Sequence, residues 1–387
     1  MIKEDAEYRV AILGFGIVGK GVYEIIKNNE TEYLDNIDVK YIFDKAENID
    51  RLQKEYDDVL FTSDMDEIVN DDEVDIVVEC MGGVDFSFNC FVKSTKAGKD
   101  FVTSNKALLA EKYDDMMRLS EDNFTILNYE AAVGGGVPIF HSIHQIKKVD
   151  IVSGFMGIIN GTTNYILTKM VSDGSSMEEV IKEAQKLGLA EADPSSDIDG
   201  VDAKYKTLLV MNYMFEKSFD IKNILNFGIR AIEKEDMEFA KNNNKTIKLI
   251  ACGDKDNAFV MPMFIDNTDA LATVPSNYNA IEVFSSNLNN STFVGQGASR
   301  YPTAHSVVLD IIDIVNNELI YMNDYEKGVI SNKLVSKFYI RTDDIDSFAS
   351  LIDSKINDNV FITKEVSIEH LYNIVKDNKN KMFICKM

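Results

Sequence analysis

Short apolar runs alternate with longer amphipathic segments along the first third of the chain. The runs end in glycine, asparagine or aspartate, and each is followed by a stretch of helix length. Apolar strands separated by helical segments are typical of a parallel sheet with right-handed crossover connections. The pattern therefore predicts an α/β domain. The segments that carry the predicted strands are residues 8–29, 39–44, 74–83, 99–105 and 124–136.

The pattern changes after Pro138, where strands no longer alternate regularly with helices. An Asn-Gly-Thr-Thr-Asn turn joins a strand to a helix within residues 151–170. Mixed helices and strands of this kind predict an α+β domain suited to substrate binding and dimerisation. Beyond the turn, the pattern predicts helices at 177–188 and 200–215, strand-like runs at 257–265, 279–286 and 291–297, and a long helix within 299–317.

A glycine pattern opens the first predicted helix. Gly14, Gly16 and Gly19 have the GxGxxG spacing, in which the glycines serve a tight turn, a close pyrophosphate and helix–strand packing. Ile17 and Val18 lie between them, at a helix N-terminus that favours phosphate binding. The pattern predicts a Rossmann-type doubly wound parallel sheet that binds a dinucleotide.

The type of nucleotide needs a separate argument. Residues 14–21 nearly match the phosphate-binding loop GxxxxGK[ST], but Gly21 has no hydroxyl for Mg²⁺, so a kinase or ATPase is not expected. Asp44, at the end of the second strand, would bind the ribose hydroxyls of NAD and repel the 2′-phosphate of NADP. Lys45 would do the opposite. The expected cofactor is NAD or NADP, with NAD favoured slightly.

Composition narrows the range of partners and compartments. The chain has 387 residues and a formal net charge of −24, whereas nucleic-acid binding needs clustered Lys and Arg. The four cysteines lie far apart without metal-ligand spacing, which is typical of a reducing compartment. The sequence has no apolar signal core and no membrane-length apolar run. We therefore expect a cytoplasmic protein with no nucleic-acid or membrane partner.

Acidic residues crowd the stretch EADPSSDIDGVDAKYK at residues 191–206. An EF-hand calcium loop is excluded, because Lys206 would stand where a bidentate Glu is required. Asp197 and Asp199 are predicted to cap the following helix, on which Asp202 and Lys206 form an i,i+4 pair. Capping needs one acid, so the surplus carboxylates indicate a site for a cationic group.

Taken together, the motifs resemble the homoserine dehydrogenase family. The resemblance extends from about residue 8 to residue 317. It is specific because several separate motifs occur in the same order as in that family. Members interconvert L-homoserine and L-aspartate 4-semialdehyde with a nicotinamide cofactor, in threonine and methionine biosynthesis. The motifs are GFGIVGKG (14–21), VVECMGG (77–83), VTSNKALLA (102–110), EAAVGGGVPI (130–139), GIINGTTNYIL (157–167), QKLGLAEADPSSDIDGVDAKYK (185–206) and GQGASRYPTAHSVVLDI (295–311).

The resemblance assigns roles to the acidic stretch. It implies that Glu191, Asp197 and Asp202 line the substrate pocket and that Lys206 is the catalytic lysine. Chemistry agrees, because the α-ammonium group of homoserine needs carboxylates around it. A buried lysine can accept the hydroxyl proton as hydride leaves, and can return it in the reducing direction. Asp202 is expected to orient that lysine.

The resemblance also implies contacts outside the acidic stretch. Lys106 is the second lysine expected at the active site, with Ser104 and Asn105 near the nicotinamide. Gly297 is expected to contact the cofactor, although Ser299 stands where a further glycine is common in the family.

A monovalent cation, expected to be Na⁺, is also implied. Its ligands would be the carboxylate of Glu130 and backbone carbonyls near Val133, Gly135 and Val137. The alternative is that the three consecutive glycines only let the chain turn close to the cofactor, without binding a cation.

These assignments predict a dinucleotide-binding domain at 1–136, completed by a helix at 302–318, and a substrate-binding and dimerisation domain at 137–301. Residues 335–387 are similar to an abbreviated ACT module with the order β-α-β-α-β. That module lacks the usual glycine of its first turn, so we expect a structural or dimerisation role. The expected assembly is a homodimer or homotetramer.

Two other functions stay open. A related amino-acid or 2-oxo-acid dehydrogenase would need a different pocket, and a catalytically inactive NAD-sensing protein would not need both lysines.

Among the histidines, His141 and His144 lie on one predicted helix without a carboxylate at matching spacing and are predicted to be surface residues. His305 is expected near the cofactor.

Overall fold

The computed structural model describes residues 7–28, 30–318 and 326–387. The chain divides into two compact units, one of Met1–His144 with Ala298–Glu326 and one of Gln145–Gly297 with Lys327–Met387. Within the described ranges, the helices are all too short or too polar to cross a membrane.

Six parallel strands form the sheet of the first unit. Numbered in chain order, they are β1 (Tyr8–Leu13), β2 (Ile37–Phe43), β3 (Leu60–Thr62), β4 (Ile76–Glu79), β5 (Asp100–Thr103) and β6 (Leu127–Asn128). Their spatial order, β3-β2-β1-β4-β5-β6, is that of a Rossmann fold, which confirms the predicted fold class. The pattern missed β3, because its apolar run is too short to stand out.

Helices accompany this sheet, and some of them share one buried core with its strands. The helices are α1 (Ile17–Asn28), α2 (Ala46–Glu55), α3 (Met65–Val69), α4 (Asp85–Lys96), α5 (Lys106–Asp122), α6 (Ile139–Lys147) and α12 (Arg300–Val315). Val22 and Ile26 of α1 and Val307 and Ile311 of α12 are fully buried in the same cluster as β1. Each such side chain stabilises the fold by about 1.5–3 kcal/mol, so α12 belongs to the core of this unit.

The second unit is built on a mixed ten-stranded sheet. The strands of this unit are β7 (Val152–Ile158), β8 (Lys217–Ser218), β9 (Leu225–Asn226), β10 (Lys245–Asp254), β11 (Ala258–Asp266), β12 (Tyr278–Ser285), β13 (Asn289–Gln296), β14 (Glu326–Lys327), β15 (Val335–Ser336), β16 (Phe338–Arg341), β17 (Ile352–Lys355), β18 (Val360–Thr363), β19 (Val366–Ser367) and β20 (Phe383–Lys386). The sheet runs β13-β12-β7-β10-β11-β20-β16-β18-β17, with β9 beside β11. The strand predictions missed β10, the central strand that β7 and β11 flank.

Some helices of the second unit begin at residues whose side chains cap them. The helices of this unit are α7 (Gly161–Asp173), α8 (Met177–Lys186), α9 (Ser195–Ile198), α10 (Val201–Phe215), α11 (Lys234–Asn242) and α13 (Ile368–Val375). Asn160 caps α7, since its Oδ1 accepts the Thr163 N–H at 2.8 Å. Ser176 and Glu179 form a capping box at α8.

The C-terminal strands continue the main sheet. Met263 of β11 lies beside Lys386 of β20 in parallel register, so residues 335–387 join this sheet and the ACT-like module is not confirmed. The first helix predicted there is wrong, because a 3₁₀ turn at Asp346–Phe348 leads into β17 instead. Phe348 is fully buried against Phe361, with ring centroids 5.5 Å apart, and this packing favours a hairpin over a surface helix.

Candidate active site

The glycine turn between β1 and α1 is tight and closely packed on one side and open on the other. Gly14 has a φ of +96°, and a Cβ there would lie 2.9 Å from the Met81 side chain. A Cβ on Gly19 would lie 1.9 Å from the Gly14 carbonyl oxygen, so this glycine is required for packing. Gly16 faces open space, with nothing within 4 Å of its Cβ position. The turn is therefore open on this side. Ile17 begins α1, followed by Val18.

A cavity of about 560 Å³ opens beside this turn, at the ends of β1, β2 and β4. This volume is typical of small-ligand pockets. Phe43 and Phe86 line it, with ring centroids 5.9 Å apart. Asp44 lines the same cavity, where its Oδ2 accepts the Phe15 N–H at 3.1 Å and its Oδ1 accepts the Asn48 side-chain amide at 2.7 Å. These bonds fix the carboxylate in the cavity wall.

Glu79, which the sequence analysis did not single out, organises the loops after β4 and β5. Its fully buried carboxylate accepts the N–H groups of Met81 and Gly82 at 2.8 and 2.9 Å. Its second oxygen accepts the Thr103 hydroxyl at 2.7 Å. A buried carboxylate without hydrogen bonds would be costly, so these donors hold the two loops together. The available signal was an acidic residue closing an apolar strand.

Ser104 and Lys106 lie at the carboxyl end of β5, where open α/β sheets bind their ligands. Both are half-buried, and Lys106 is the first residue of α5. Asn105 caps this helix by accepting the Leu108 N–H at 3.1 Å, and it donates to the Gly83 carbonyl at 2.6 Å. The backbone around the predicted pair is therefore rigidly held.

In the second unit, Lys206 and two acids form one cluster, in which Lys206 and Asp202 are buried and Asp197 is half-buried. Lys206 Nζ lies 2.9 Å from Asp202 Oδ2 and donates to the Ile159 carbonyl at 2.9 Å. The Asn160 side-chain amide donates to Asp202 at 2.8 Å and to Asp197 at 2.6 Å. The side chains of Lys206 and Asp202 are only 11% and 6% exposed. Asp197, Asp202 and Lys206 are thus brought together as predicted, while the linking Asn160 was missed.

The helix caps predicted in the acidic stretch are wrong. Gly200 is the N-cap of α10, with a φ of +74° and no side-chain cap. Asp197 turns to Asn160, and Asp199 pairs with Arg230, because these donors outcompete the helix N–H groups. Asn160 itself carries a recognisable signal, since an Asn before Gly-Thr-Thr is typical of a helix N-cap.

Two further predicted residues stand apart from this cluster. Glu191 is exposed, its carbonyl accepts the Gln185 side-chain amide at 3.0 Å, and the described contacts do not bring its carboxylate to Lys206. A Cβ on Gly297 would lie 2.1 Å from the Asn279 side chain, so this glycine makes room for a buried asparagine in its present position. Ser299 has a φ of +138°, a strained conformation at the position where the family commonly has glycine.

The predicted cation ligand Glu130 is buried and already paired. Its carboxylate accepts the N–H groups of Phe140 and His141 at 3.1 and 3.0 Å and contacts the His141 Nδ1. The His141 Nε2 lies 2.7 Å from Asp313 Oδ2. Burial alone would lower the pKa of His141, but hydrogen bonds to Asp313 and Glu130 outweigh it and raise the pKa to about 10. The prediction of a surface His141 is wrong, because both carboxylates come from distant segments.

The carbonyls predicted to bind Na⁺ lie on the turn after Glu130. The Gly135 carbonyl accepts the Ser306 hydroxyl at 2.6 Å, and the Val137 carbonyl accepts the Ile139 N–H at 2.8 Å. A carbonyl oxygen has a second lone pair, so these hard oxygens still suit a monovalent cation. Over the described residues, no group of three or more His, Cys, Asp or Glu side chains is arranged to hold a metal ion.

A Rossmann sheet with an open glycine turn, together with a buried lysine among carboxylates, defines a nicotinamide-dinucleotide-dependent oxidoreductase. Two family models match: "Homoserine dehydrogenase, NAD binding domain" over residues 14–130 and "Homoserine dehydrogenase" over residues 138–312. The chain belongs to the homoserine dehydrogenase family. It is an NAD(P)-dependent oxidoreductase that interconverts L-homoserine and L-aspartate 4-semialdehyde.

Individual relatives agree with this assignment. The homoserine dehydrogenase of Bacillus subtilis (strain 168) is 32% identical over 381 residues, covering 94% of this chain and 87% of the relative. That of Synechocystis sp. is 35% identical over 317 residues, covering 79% and 73%. The S. aureus homoserine dehydrogenase structure at pH 8.5 is 30% identical, with a TM-score of 0.74 and 98% of each chain covered. The Thiobacillus denitrificans structure has a TM-score of 0.86 at 24% identity over 98% and 97% of the two chains, a likeness of fold.

Proposed function

We propose that Lys206 transfers the proton of the reaction and that Asp202 orients it. The observation that carries this proposal is the pair of 2.9 Å contacts from Lys206 Nζ to Asp202 and to the Ile159 carbonyl. A neutral amine has two N–H donors and one lone pair. With both donors engaged, the lone pair is left to accept the hydroxyl proton of homoserine. In the reducing direction, the ammonium form returns that proton to the oxygen.

The substrate ammonium group is proposed to bind Asp197 and Asp202. Asn160 donates to both carboxylates, which keeps them close together without neutralising either charge. The paired negative charges then attract a zwitterion by its positive end. Glu191, exposed on the same acidic stretch, is proposed to contribute when substrate is bound.

Lys106 is proposed as the second lysine of the active site, with Ser104 beside the nicotinamide. Their support is the carboxyl-end location on β5 and the rigid backbone that Glu79 and Asn105 provide. The dinucleotide, when bound, supplies the hydride acceptor or donor. Gly14, Gly16 and the first turn of α1 would hold its pyrophosphate, as the open space at Gly16 supports.

NAD is proposed as the preferred dinucleotide. The Asp44 carboxylate is fixed in the cavity wall, where it would accept ribose hydroxyls and repel a 2′-phosphate. A hyperthermophilic archaeal homoserine dehydrogenase solved in complex with NADPH is 25% identical, with a TM-score of 0.70 and coverage of 81% of this chain and 98% of that one. NADP is therefore the competing cofactor, and comparing KM for the two dinucleotides decides between them.

Three further features belong to this proposal. Na⁺ would be held by the Glu130 carboxylate and by carbonyls near Val133, Gly135 and Val137, whose oxygens suit it chemically. A homodimer or homotetramer is proposed, supported by edge strand β13, on which Val294 is 53% exposed. The reaction would serve threonine and methionine biosynthesis in the cytoplasm.

Absorbance at 340 nm tests the role of Lys206 directly. With L-homoserine and dinucleotide, Lys206→Ala is expected to lower kcat by about 10²–10⁴-fold, because general acid–base catalysis contributes that much. Lys204→Ala, on the same helix but outside the cluster, is the matched control and should keep near-normal activity. Equal activity in the two variants would refute the assignment of Lys206.

A further inference from the structure

Residues 226–232, the bridging segment, lie against α9 within the second unit. The Ile229 N–H donates to the Ile198 carbonyl at 2.7 Å. This approach requires a glycine at Gly228, because a Cβ there would lie 2.3 Å from the same carbonyl oxygen. The bridging segment therefore fixes the backbone at the C-terminal end of α9.

Arg230 holds both ends of α9 from the bridging segment. Its Nε and Nη2 donate to the two oxygens of Asp199 at 2.6 and 2.8 Å, and Nη2 also donates to the Ser195 hydroxyl at 3.0 Å. Bidentate geometry of this kind fixes orientation. The pair is partly exposed, so it adds little to global stability. The guanidinium is therefore better suited to orienting α9 than to holding the fold together.

The C-terminal part of the chain holds the other side of the bridging segment. Lys379 Nζ donates to the Asn226 carbonyl at 2.6 Å, and the Asn226 side-chain amide donates to the Asp199 carbonyl at 2.8 Å. Arg341 Nη2 donates to the Ala231 carbonyl, while its guanidinium pairs with buried Asp236 at 3.0 Å. Residues from two C-terminal elements thus support the segment on which Arg230 stands.

The short helix α9 carries Asp197 into the carboxylate cluster. Between the ends that Arg230 holds, the Asp197 carboxylate accepts the Asn160 amide that also binds Asp202. Rotation of α9 would move Asp197 relative to Asp202, whereas Lys206 would keep its own contact with the Ile159 carbonyl. Loss of the arginine contacts should therefore affect substrate binding more than proton transfer.

We propose that Arg230 is a positioning residue for homoserine binding, and that Lys379 and Arg341 give it a fixed base by holding the bridging segment. This inference rests on the proposed binding of the substrate ammonium group by Asp197 and Asp202. It gives the C-terminal part of the chain a role in substrate affinity.

Steady-state kinetics of the full chain test this role. Arg230→Gln is expected to raise KM for L-homoserine about threefold to tenfold, with kcat within about twofold and an unchanged KM for the dinucleotide. Arg230→Lys, which keeps the charge but loses the bidentate bond, should show a smaller rise. Lys379→Gln should shift KM in the same direction. Lys337→Gln breaks the exposed pair with Asp353 elsewhere in the C-terminal part, and this matched control should leave KM unchanged.

The pattern of constants separates the possible outcomes. A selective rise of KM for homoserine in Arg230→Gln and Lys379→Gln supports the inference. An unchanged KM in folded Arg230→Gln protein refutes it, as does a lower kcat at constant KM, which indicates a loss of folded enzyme only. Asp197→Asn tests the underlying site separately. If that variant alone raises KM, positioning by Arg230 is refuted; if it has no effect, the proposed substrate site is refuted instead.

Discussion

Replacing His141 by glutamine should destabilise the first unit strongly and in a pH-dependent way. The imidazole lies between Glu130 and Asp313 and is only 18% exposed. Glutamine keeps an amide donor but removes the positive charge that compensates two buried carboxylates. Breaking a buried ion pair by removing one partner costs about 3–5 kcal/mol, because the other charge stays buried without compensation.

The pH dependence follows from the direction of the shift. The pKa of His141 is raised from 6.5 to about 10 in the folded protein. Its contribution is therefore complete below pH 6.5 and is lost as pH rises through about 10, since only the folded state holds the proton between these values. Over this window the free energy of unfolding should fall by about 1.4 kcal/mol per pH unit from this group. At pH 7, the raised pKa of His141 therefore contributes about 4 kcal/mol to the free energy of unfolding.

Urea unfolding followed by far-ultraviolet circular dichroism measures this difference, because the chain has no tryptophan. At constant Na⁺, His141→Gln should be about 3–4 kcal/mol less stable than the unmodified protein at pH 7 and nearly equal to it above pH 10. His305→Gln, an exposed histidine on the same helix as Asp313, is the control and should change stability by less than about 0.5 kcal/mol. A difference at pH 7 below about 1 kcal/mol, or one that persists at pH 10, would refute the ion-pair argument.

Three further predictions concern the glycine turn, the choice of dinucleotide and the buried Lys248. Gly16→Ala should abolish dinucleotide binding in a titration but keep the melting temperature of the protein. Gly19→Ala should lower the melting temperature, because its methyl group would lie 1.9 Å from the Gly14 carbonyl oxygen. Equal melting temperatures of the two variants would contradict this. Asp44→Ser should raise KM for NAD and lower KM for NADP, each by about tenfold. Initial rates at 340 nm measure both constants, and an unchanged ratio of KM for NAD to KM for NADP would contradict the cofactor proposal. Burial lowers the pKa of Lys248 to about 8, so the folded state releases this proton at a lower pH than the unfolded chain does. Between pH 8 and 10.5, the unmodified protein should therefore gain up to about 3 kcal/mol of stability relative to Lys248→Met in urea unfolding. A stability difference that does not change with pH would contradict this.

The dinucleotide-binding fold was predictable because its signals are local. Buried parallel strands are apolar on both faces, so they stand out as continuous runs in the sequence. The conformation of this turn follows from backbone geometry within a few residues: Gly14 has a positive φ, Gly19 packs closely on the Gly14 carbonyl, and the space at Gly16 is open. The pyrophosphate contact predicted for Gly16 stays a prediction. The loops after β4 and β5 were less accessible, because Glu79 collects donors from two separate segments.

Partners distant in sequence explain most of what the sequence analysis missed. The His141 imidazole pairs with Glu130, eleven residues away, and with Asp313, 172 residues away. An i,i+4 pair such as Asp202 and Lys206 can be read from spacing, because one helix fixes both ends. A pairing across the fold has no such spacing, so the same histidine looks like a surface residue until the tertiary structure brings its partners to it.

The acidic stretch shows how tertiary donors divide one local signal among several roles. Acids before a helix usually indicate capping, yet Gly200 takes the N-cap of α10 in a left-handed conformation. That turn leaves Asp197 to Asn160 and Asp199 to Arg230, each a stronger competitor than a helix N–H group because it brings a side-chain donor from another segment. The surplus of acids is therefore split between Asp197 and Asp202, which Asn160 links beside Lys206, and Asp199, which fixes the end of α9 through Arg230. A substitution within this stretch should change KM or kcat according to which donor the acid binds, rather than according to its distance from Lys206 in the sequence.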